Sequence, residues 1–321
     1  MRPIRRAHHQ CGRNRHITSL LMITVAGVLA APPGPFLVAH QVEQVRHAFE
    51  KGDDVEVIEI ARQALEHAES AELRNLLGKA YARSGEPGKA LVELRLAIRS
   101  QPDDEGFRLD LGQFLLRNSD FLTAVTVLED AHRRLPRSAQ IELALGVAYY
   151  CSVRYDDAVR AFLKTIELAP DVPQPYVFLG KMLVHADSHL REITQECTVT
   201  ERSSPSNPYA PLLHAEALIA EIGPIQEEAK VDAAVQLLEK AIALRSDSAE
   251  AYFVFGCLMD REGYYPRAVQ FLEKCVQLKP DDPVARYRLG RLYVRFGKRA
   301  QADAEFAAQA KLKQEVHREQ Q

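Results

Sequence analysis

Residues 77–81 read LGKAY, 111–115 LGQFL, 145–149 LGVAY and 179–183 LGKML. The Leu-Gly pair returns every 34 residues, and after a gap it returns as FGCLM at 255–259 and LGRLY at 289–293, again 34 apart. A fixed period of this length marks stacked copies of one supersecondary unit. Companion positions keep the register. Three residues after each glycine stands Tyr81, Leu115, Tyr149, Leu183, Met259 or Tyr293. Twelve after it comes Ala90, Ala124, Ala158, Ala268 or Ala302, and four later a large apolar residue: Leu94, Leu128, Phe162, Leu272 or Phe306. Pro102, Pro136, Pro170 and Pro280 close the units.

The spacing has a physical reading. Leu73, Leu76, Leu77, Ala80 and Tyr81 recur at helical intervals, and so do Ala90, Leu91, Leu94, Ala97 and Ile98. Each unit is therefore two amphipathic helices. Gly78 and Ala90 lack bulk where the two would cross. Gly85 and Gly263 fall where a left-handed turn is needed. Pro102 and Pro280 end second helices, and Asp103 and Asp281 are expected to cap the next ones. One such hairpin cannot bury its apolar face alone, but stacked neighbours can. The pattern L-G-x2-Y, A-x3-F and P resembles the tetratricopeptide repeat (TPR) over residues 38–316. The resemblance implies an all-α, right-handed superhelical solenoid of about seven to eight helix-turn-helix units.

The expected units are 38–70, 71–104, 105–138, 139–172, 173–206, 207–248, 249–282 and 283–316. The first is degenerate, with Val45, Ala48, Val57 and Ala61 at the motif positions. Gly180 and Gly256 lie 76 residues apart, eight more than two periods. Glu192 stands where the fifth unit should carry its alanine, and 203–208 reads as a loop. The sixth unit holds the extra residues, with helices expected over Tyr209–Ile222 and Ile225–Leu244. Two readings of the irregular region 186–233 stay open: drift with a local change of pitch, or a hinge or partner contact between an N-terminal half (38–206) and a C-terminal half (207–316). Residues 317–321 form a polar tail.

The chain has 321 residues, 46% of them hydrophobic and 26% charged, which excludes collagen-like, wholly disordered and polytopic membrane classes. With no Trp and 7% aromatics, a core must rest on aliphatic residues and alanine. The net charge of −3 is unevenly spread: residues 1–30 carry Arg2, Arg5, Arg6, Arg13 and Arg15 and no acid. The remainder is acidic, which gives no reason to expect nucleic-acid binding. Ile17–Ala31 is an uncharged apolar run after the basic segment, followed by Pro32, Pro33 and Pro35. This is the layout of a signal peptide, with cleavage expected after Ala30 and 31–37 as a linker. The expected localisation is export, to a periplasm or beyond. An uncleaved anchor tethering the chain through residues 17–31 is the alternative.

Motifs for catalysis are missing: there is no nucleophile elbow, Gly-rich phosphate loop or H-E-x-x-H. Cys151, Cys197, Cys257 and Cys275 are widely spaced, without a C-x-x-C pair, so neither a disulfide framework nor structural zinc is indicated. His185 and His189 would share a face on a continuous helix and could take a metal, but the hairpin turn should fall between them. The Pro-Asp-Asp triplets at 102–104 and 280–282 sit at unit junctions, where capping explains them better than acid–base chemistry. No catalytic residue, cofactor or metal is expected.

In the family, first helices line a concave groove that holds a peptide or helix of a partner. Carried across, the groove positions are Asn75, Lys79 and Arg83 in the second unit, and Leu109, Gln113, Leu116 and Arg117 in the third. Leu143, Val147 and Tyr150 follow, then Val177, Lys181 and Val184. Beyond the break stand Phe253 and Arg261, then Tyr287, Arg291 and Arg295. The middle is apolar and both ends carry cations. That suits a protein or peptide partner with aliphatic and acidic residues. The competing reading gives the Leu and Val to inter-unit packing and the Arg to solubility. Asn75 and Lys79 resemble a carboxylate clamp with its members exchanged, and Leu109 and Gln113 depart from it, which argues against clamp-type chaperone binding. The expected function is a non-enzymatic scaffold. The alternatives are an accessory of an envelope assembly or secretion machine, and a substrate-recruiting subunit of a separate enzyme.

Overall fold

The second Asp of each Pro-Asp-Asp triplet, not the first, starts a helix. Asp104 accepts from the Phe107 amide at 2.8 Å, and Asp282 from those of Val284 and Ala285 at 2.9 and 3.0 Å. This corrects the expectation for Asp103 and Asp281. Asp103 lies one residue too early to reach those amides and instead pairs with Arg134 at 3.0 Å. Ser70, Ser138 and Ser248 cap the equivalent helices through Leu73, Ile141 and Ala251. Each cap satisfies amides that the first helical turn leaves open.

The computed structural model describes residues 35–222 and 228–319, and among them every regular element is helical. In chain order these are α1 (Pro35–Lys51), α2 (Asp54–His67), α3 (Ala71–Arg83), α4 (Pro87–Ser100), α5 (Glu105–Arg117), α6 (Phe121–Arg134), α7 (Ala139–Cys151) and α8 (Tyr155–Leu168). Then come α9 (Gln174–Met182), two 3₁₀ turns, α10 (Leu190–Ser203), α11 (Tyr209–Glu221), α12 (Glu228–Leu244), α13 (Ala249–Arg261), α14 (Tyr265–Leu278), α15 (Pro283–Arg295) and α16 (Arg299–Glu319). The signal and anchor expectations, at residues 1–31, lie outside the described residues, as does the start expected for α12 at Ile225. Among the described residues no helix is long and apolar enough to cross a membrane.

Apart from α9 and α10, each odd-numbered helix packs on the even-numbered helix that follows it as a hairpin, and neighbouring hairpins pack on one another. The Leu-Gly glycines set the closeness of the crossing. A Cβ on Gly78 would stand 2.8 Å from Leu94, on Gly112 2.7 Å from Leu128, and on Gly146 2.6 Å from Phe162. Gly256 meets Leu272 at 2.7 Å and Gly290 meets Phe306 at 2.6 Å in the same way. The large residue sixteen positions on fills the space the glycine leaves open. Leu94, Leu128, Phe162 and Leu272 are accordingly buried.

The turn between helices is left-handed. Gly85 and Gly263 have φ of +76° and +82°, but Ser119 and Val153 take φ of 59° and 61° at the same place in the third and fourth units. Buried tyrosines tie units together: Tyr149 donates to Glu129 at 2.9 Å and Tyr293 to Glu273 at 2.7 Å, each on the preceding unit's second helix.

The fifth unit is opened. α9 stops at Met182, and α10 packs chiefly on α11 and α8 rather than on α9. Two large apolar clusters follow, one from Val45 to Ala217 and the other from Ala215 to Ala302. They meet in α11.

Candidate binding groove

First helices pack side by side: α1 on α3, α3 on α5, α5 on α7, α9 on α11, α11 on α13. Their outward residues form the candidate groove.

At its N-terminal end the expected ligand-binding pair is used internally. Asn75 is buried, and its Nδ2 donates to Asp110 Oδ2 at 2.7 Å. Lys79 Nζ donates to the same oxygen at 3.0 Å. Arg83 donates through Nε to Asp54 at 2.8 Å and lies over the Phe49 ring at 3.8 Å. Lys79, Arg83 and Arg117 nevertheless line one cavity of about 450 Å³ with Phe49, Asp110 and Phe114. Arg117 touches only the Gln113 carbonyl, at 3.4 Å, and has no carboxylate partner among the described residues. Gln113 is exposed beside it.

The apolar middle is largely taken up by packing. Leu109 is 7% exposed and belongs to the core, so it cannot line a ligand surface. Leu116, Leu143, Val147 and Tyr150 are half-buried against the core, Tyr150 with its ring on Phe178 at 5.5 Å. Val177, Lys181 and Val184 are exposed, Val184 at 76%.

Beyond the fifth unit, Phe253 and Arg261 line a cavity of about 460 Å³ with Leu183, Glu216, Ile219 and Cys257. Arg261 donates to the Ile219 carbonyl at 3.4 Å and pairs with Glu262. Tyr287 is half-exposed beside Phe306, and Arg295 lies 3.7 Å above the Tyr265 ring. Arg291 is exposed and has no carboxylate partner among the described residues. The structure thus gathers the expected residues into an N-terminal group around Arg117 and a C-terminal group around Phe253 and Arg291. It removes Leu109 and Asn75 from the exposed surface.

Sequence reasoning missed the sixth unit's contribution. Lys79, Gln113, Val147, Cys257 and Arg291 each stand nine residues after the capping residue of their helix. In α11 the cap is Asn207, whose Oδ1 accepts from the Tyr209 and Ala210 amides at 2.7 and 3.0 Å. Nine residues on is Glu216. Here Ala215 stands where other units have the marker glycine, which hid the register; the cap would have revealed it. Phe49, Asp54 and Asp110 were missed as well, because they occupy no motif position.

Glu216 sits at the meeting of the 460 Å³ cavity with a second, of about 300 Å³, lined by Tyr176, Gly180, Lys181, Leu212 and Glu250. Burial, with the Glu250 charge adding to it, pushes its carboxyl up to about 7.

The 3₁₀ turns separate the two histidines. His185 stacks on Tyr155 at 4.5 Å, while His189 places Nδ1 3.0 Å from Glu192 and Nε2 3.1 Å from Asp156. Among the described residues no group of three metal-ligand side chains converges. Burial pushes the Cys257 and Cys275 thiols up to about 11 and 12, away from the reactive thiolate.

Comparison with known proteins places this geometry. Family models described as tetratricopeptide repeat match residues 109–173 and 261–319. Yeast Tom70 superposes with a TM-score of 0.52 at 18% identity, covering 88% of this chain and 62% of that one. A chain of the APC/C hetero-tetramer Cut9-Hcn1 superposes with a TM-score of 0.50 at 14% identity, covering 87% of this chain and 53% of that one. This chain thus spans less than two thirds of either structure's length, and likeness at such identity speaks for the fold alone. Comparison with curated protein sequences gives no match. The repeat models, the 34-residue ladder and the stacked hairpins agree, and the chain is a tetratricopeptide-repeat protein.

Proposed function

We propose that the chain is a non-enzymatic scaffold that holds a segment of a partner protein against its first helices. The observation that carries this reading is the pair of open cavities on the first-helix face. One lies around Phe49 and Phe114, the other around Phe253 and Ile219, with Val177 and Tyr287 exposed on the first helices α9 and α15 and Val184 on the 3₁₀ turn that follows α9. Apolar side chains set in a preformed concave surface are what an extended or helical segment uses as anchors. Arg117 and Arg291, free of carboxylates among the described residues, would take acidic residues of that segment near the two ends. The steering cations are these two rather than Lys79 and Arg83, whose charges are already met by Asp110 and Asp54.

Cross-linking in cells, capture of the full chain and mass spectrometry test the reading. A partner whose cross-links map to α3, α5, α13 and α15, and whose capture falls with Arg117→Glu plus Arg291→Glu, supports it. Cross-links confined to the second helices would overturn it.

The basic, then uncharged, opening of the sequence supports export or anchoring, and with it a role beside an envelope assembly or secretion machine. Fractionation checks this: full-length protein found in the cytosol would overturn it. Recruitment of substrates to a separate enzyme would appear as co-captured activity lost with the same Arg variants.

A further inference from the structure

Glu216 breaks the chemistry of the groove row. At its position the other units place lysine, arginine, glutamine, valine or cysteine; α11 places a carboxylate. Its surroundings give that carboxylate no cation. Arg261 is turned to the Ile219 carbonyl and Glu262, Arg288 lies over the Phe253 ring at 5.8 Å, and Lys279 sits 3.9 Å from Asp282. Lys181 lines the same cavity as Glu216 without forming an ion pair with it. No hydrogen-bond donor among the described residues reaches Glu216. The charge that acts on its carboxyl is a second carboxylate, Glu250.

Around it both cavities also offer apolar side chains, Leu212 and Leu213 in the smaller one and Leu183, Ile219 and Phe253 in the larger, beside the charged Lys181, Lys279, Asp260, Arg261 and Arg288. A half-buried carboxylate without a donor is costly, and it gains most from a cation that arrives with its own apolar stem. A neutral donor would leave the repulsion from Glu250 in place, and an anion would add to it.

We infer that the middle of the groove seats a lysine or arginine of the partner segment, its head group on Glu216 and Glu250, with aliphatic neighbours against Ile219 and Phe253. This rests on the groove reading above and deepens it. The segment then carries acidic residues toward its ends and one basic residue between them, and the array reads that order rather than net charge.

Panning a phage-displayed library of random peptides against the full chain tests this, with the probe being the peptides it selects. The expected result is enrichment of clones with Lys or Arg at one fixed place between aliphatic residues. A synthetic peptide from such a clone should bind Glu216→Gln at least tenfold more weakly, and Glu250→Gln more weakly by a smaller factor. Replacing its basic residue by Met should make wild type and Glu216→Gln equal. Circular dichroism checks that both variants keep their helices. Enriched clones without a fixed basic residue, or equal affinity for wild type and both variants, would overturn the inference and leave the groove standing. Failure to select any clone sensitive to Arg117→Glu or Val184→Asp would overturn both.

Discussion

The Glu216 carboxylate occupies the space that a Cβ on Gly180 would need, with Oε2 2.6 Å from that point. In the regular units the same space is filled by a Leu or Phe from the second helix of the same hairpin. In the fifth unit the position sixteen residues on is Glu196, whose own carboxyl burial and the Glu167 charge push up. With no apolar ridge to offer, α10 gives up the crossing and α11 moves onto α9 instead. The glycine keeps its role of permitting close approach, but its partner changes from within the unit to the next unit. The irregularity and the groove's one acidic row position therefore have a common origin.

That contact makes stability depend on pH in a stated direction. With its folded value near 7 against an ordinary 4.5, Glu216 binds its proton more tightly folded than unfolded. Its contribution therefore falls as pH rises from 4.5 toward 7 and is least favourable above 7. Glu216→Gln keeps the shape and removes the ionisation. At pH 8 the variant should be more stable than wild type by about 1–3 kcal/mol, with the advantage fading by pH 5. Paired thermal melts at the two values measure it, and an advantage independent of pH would contradict the account.

The regular crossings allow a sharper test. Gly146→Ala would place a methyl 2.6 Å from the Phe162 ring. Phe162 is fully buried and stacked on Phe178 at 5.0 Å, so the ring cannot withdraw. The helix propensity gained, about 1 kcal/mol, is outweighed by overpacking, for a net loss of about 1–2 kcal/mol. Gly88→Ala, with nothing within 4 Å, should instead be neutral or stabilising. Urea midpoints of the two variants should move in different directions; a common direction would mean that the crossing is not tight.

Much of this was legible because the repeat writes its own geometry. The glycines at 78, 112 and 146 announce the crossings, and Leu94, Leu128 and Phe162 name what fills them. What escaped is what does not repeat. Asp54 and Asp110 hold no motif position, yet they neutralise Arg83 and Lys79, so cations that read as free are engaged. Leu109 satisfies a groove spacing, but it is buried in the apolar cluster that runs across the units, which spacing along one chain does not encode. Glu216 escaped because Ala215 does the work of a glycine without its signature. The Asp103-to-Asp104 slip is a matter of one residue, which composition cannot resolve but a hydrogen bond does.

Asp110 is the acceptor on which Asn75 and Lys79 converge. Asn75 Oδ1 is already buried without a partner among the described residues, so Asp110→Ala would leave the amide's Nδ2 unmet as well. The expected loss is about 2–3 kcal/mol. Replacing both, as Asn75→Leu with Asp110→Leu, should cost less than the two single changes together, by about 1–2 kcal/mol. Chemical denaturation of the four proteins in this cycle gives the coupling directly. Strict additivity would show that the bond contributes nothing beyond its two side chains.

Val153 occupies the left-handed turn between α7 and α8 with φ of 61°, where Gly85 and Gly263 stand in other units. A β-branched residue in that region carries strain of about 1–2 kcal/mol, since Cβ approaches the following carbonyl. The turn is held by hydrogen bonds from Val153 N to the Tyr150 carbonyl at 3.1 Å and from Arg154 N to the Tyr149 carbonyl at 2.9 Å, so the strain is not relieved by rearrangement. The side chain is 68% exposed and loses little packing when removed. Val153→Gly relieves the strain, while the added freedom of the unfolded chain offsets roughly 0.5–1 kcal/mol of the gain. The net expectation is a stabilisation of about 0.5–1 kcal/mol, read as an upward shift of the urea midpoint at unchanged slope. The reverse change at the matching turn, Gly85→Val, should destabilise by about 0.5–1 kcal/mol. If Val153→Gly lowered the midpoint instead, the valine would be making contacts that outweigh its backbone, and the turn would owe its shape to the side chain rather than bear it.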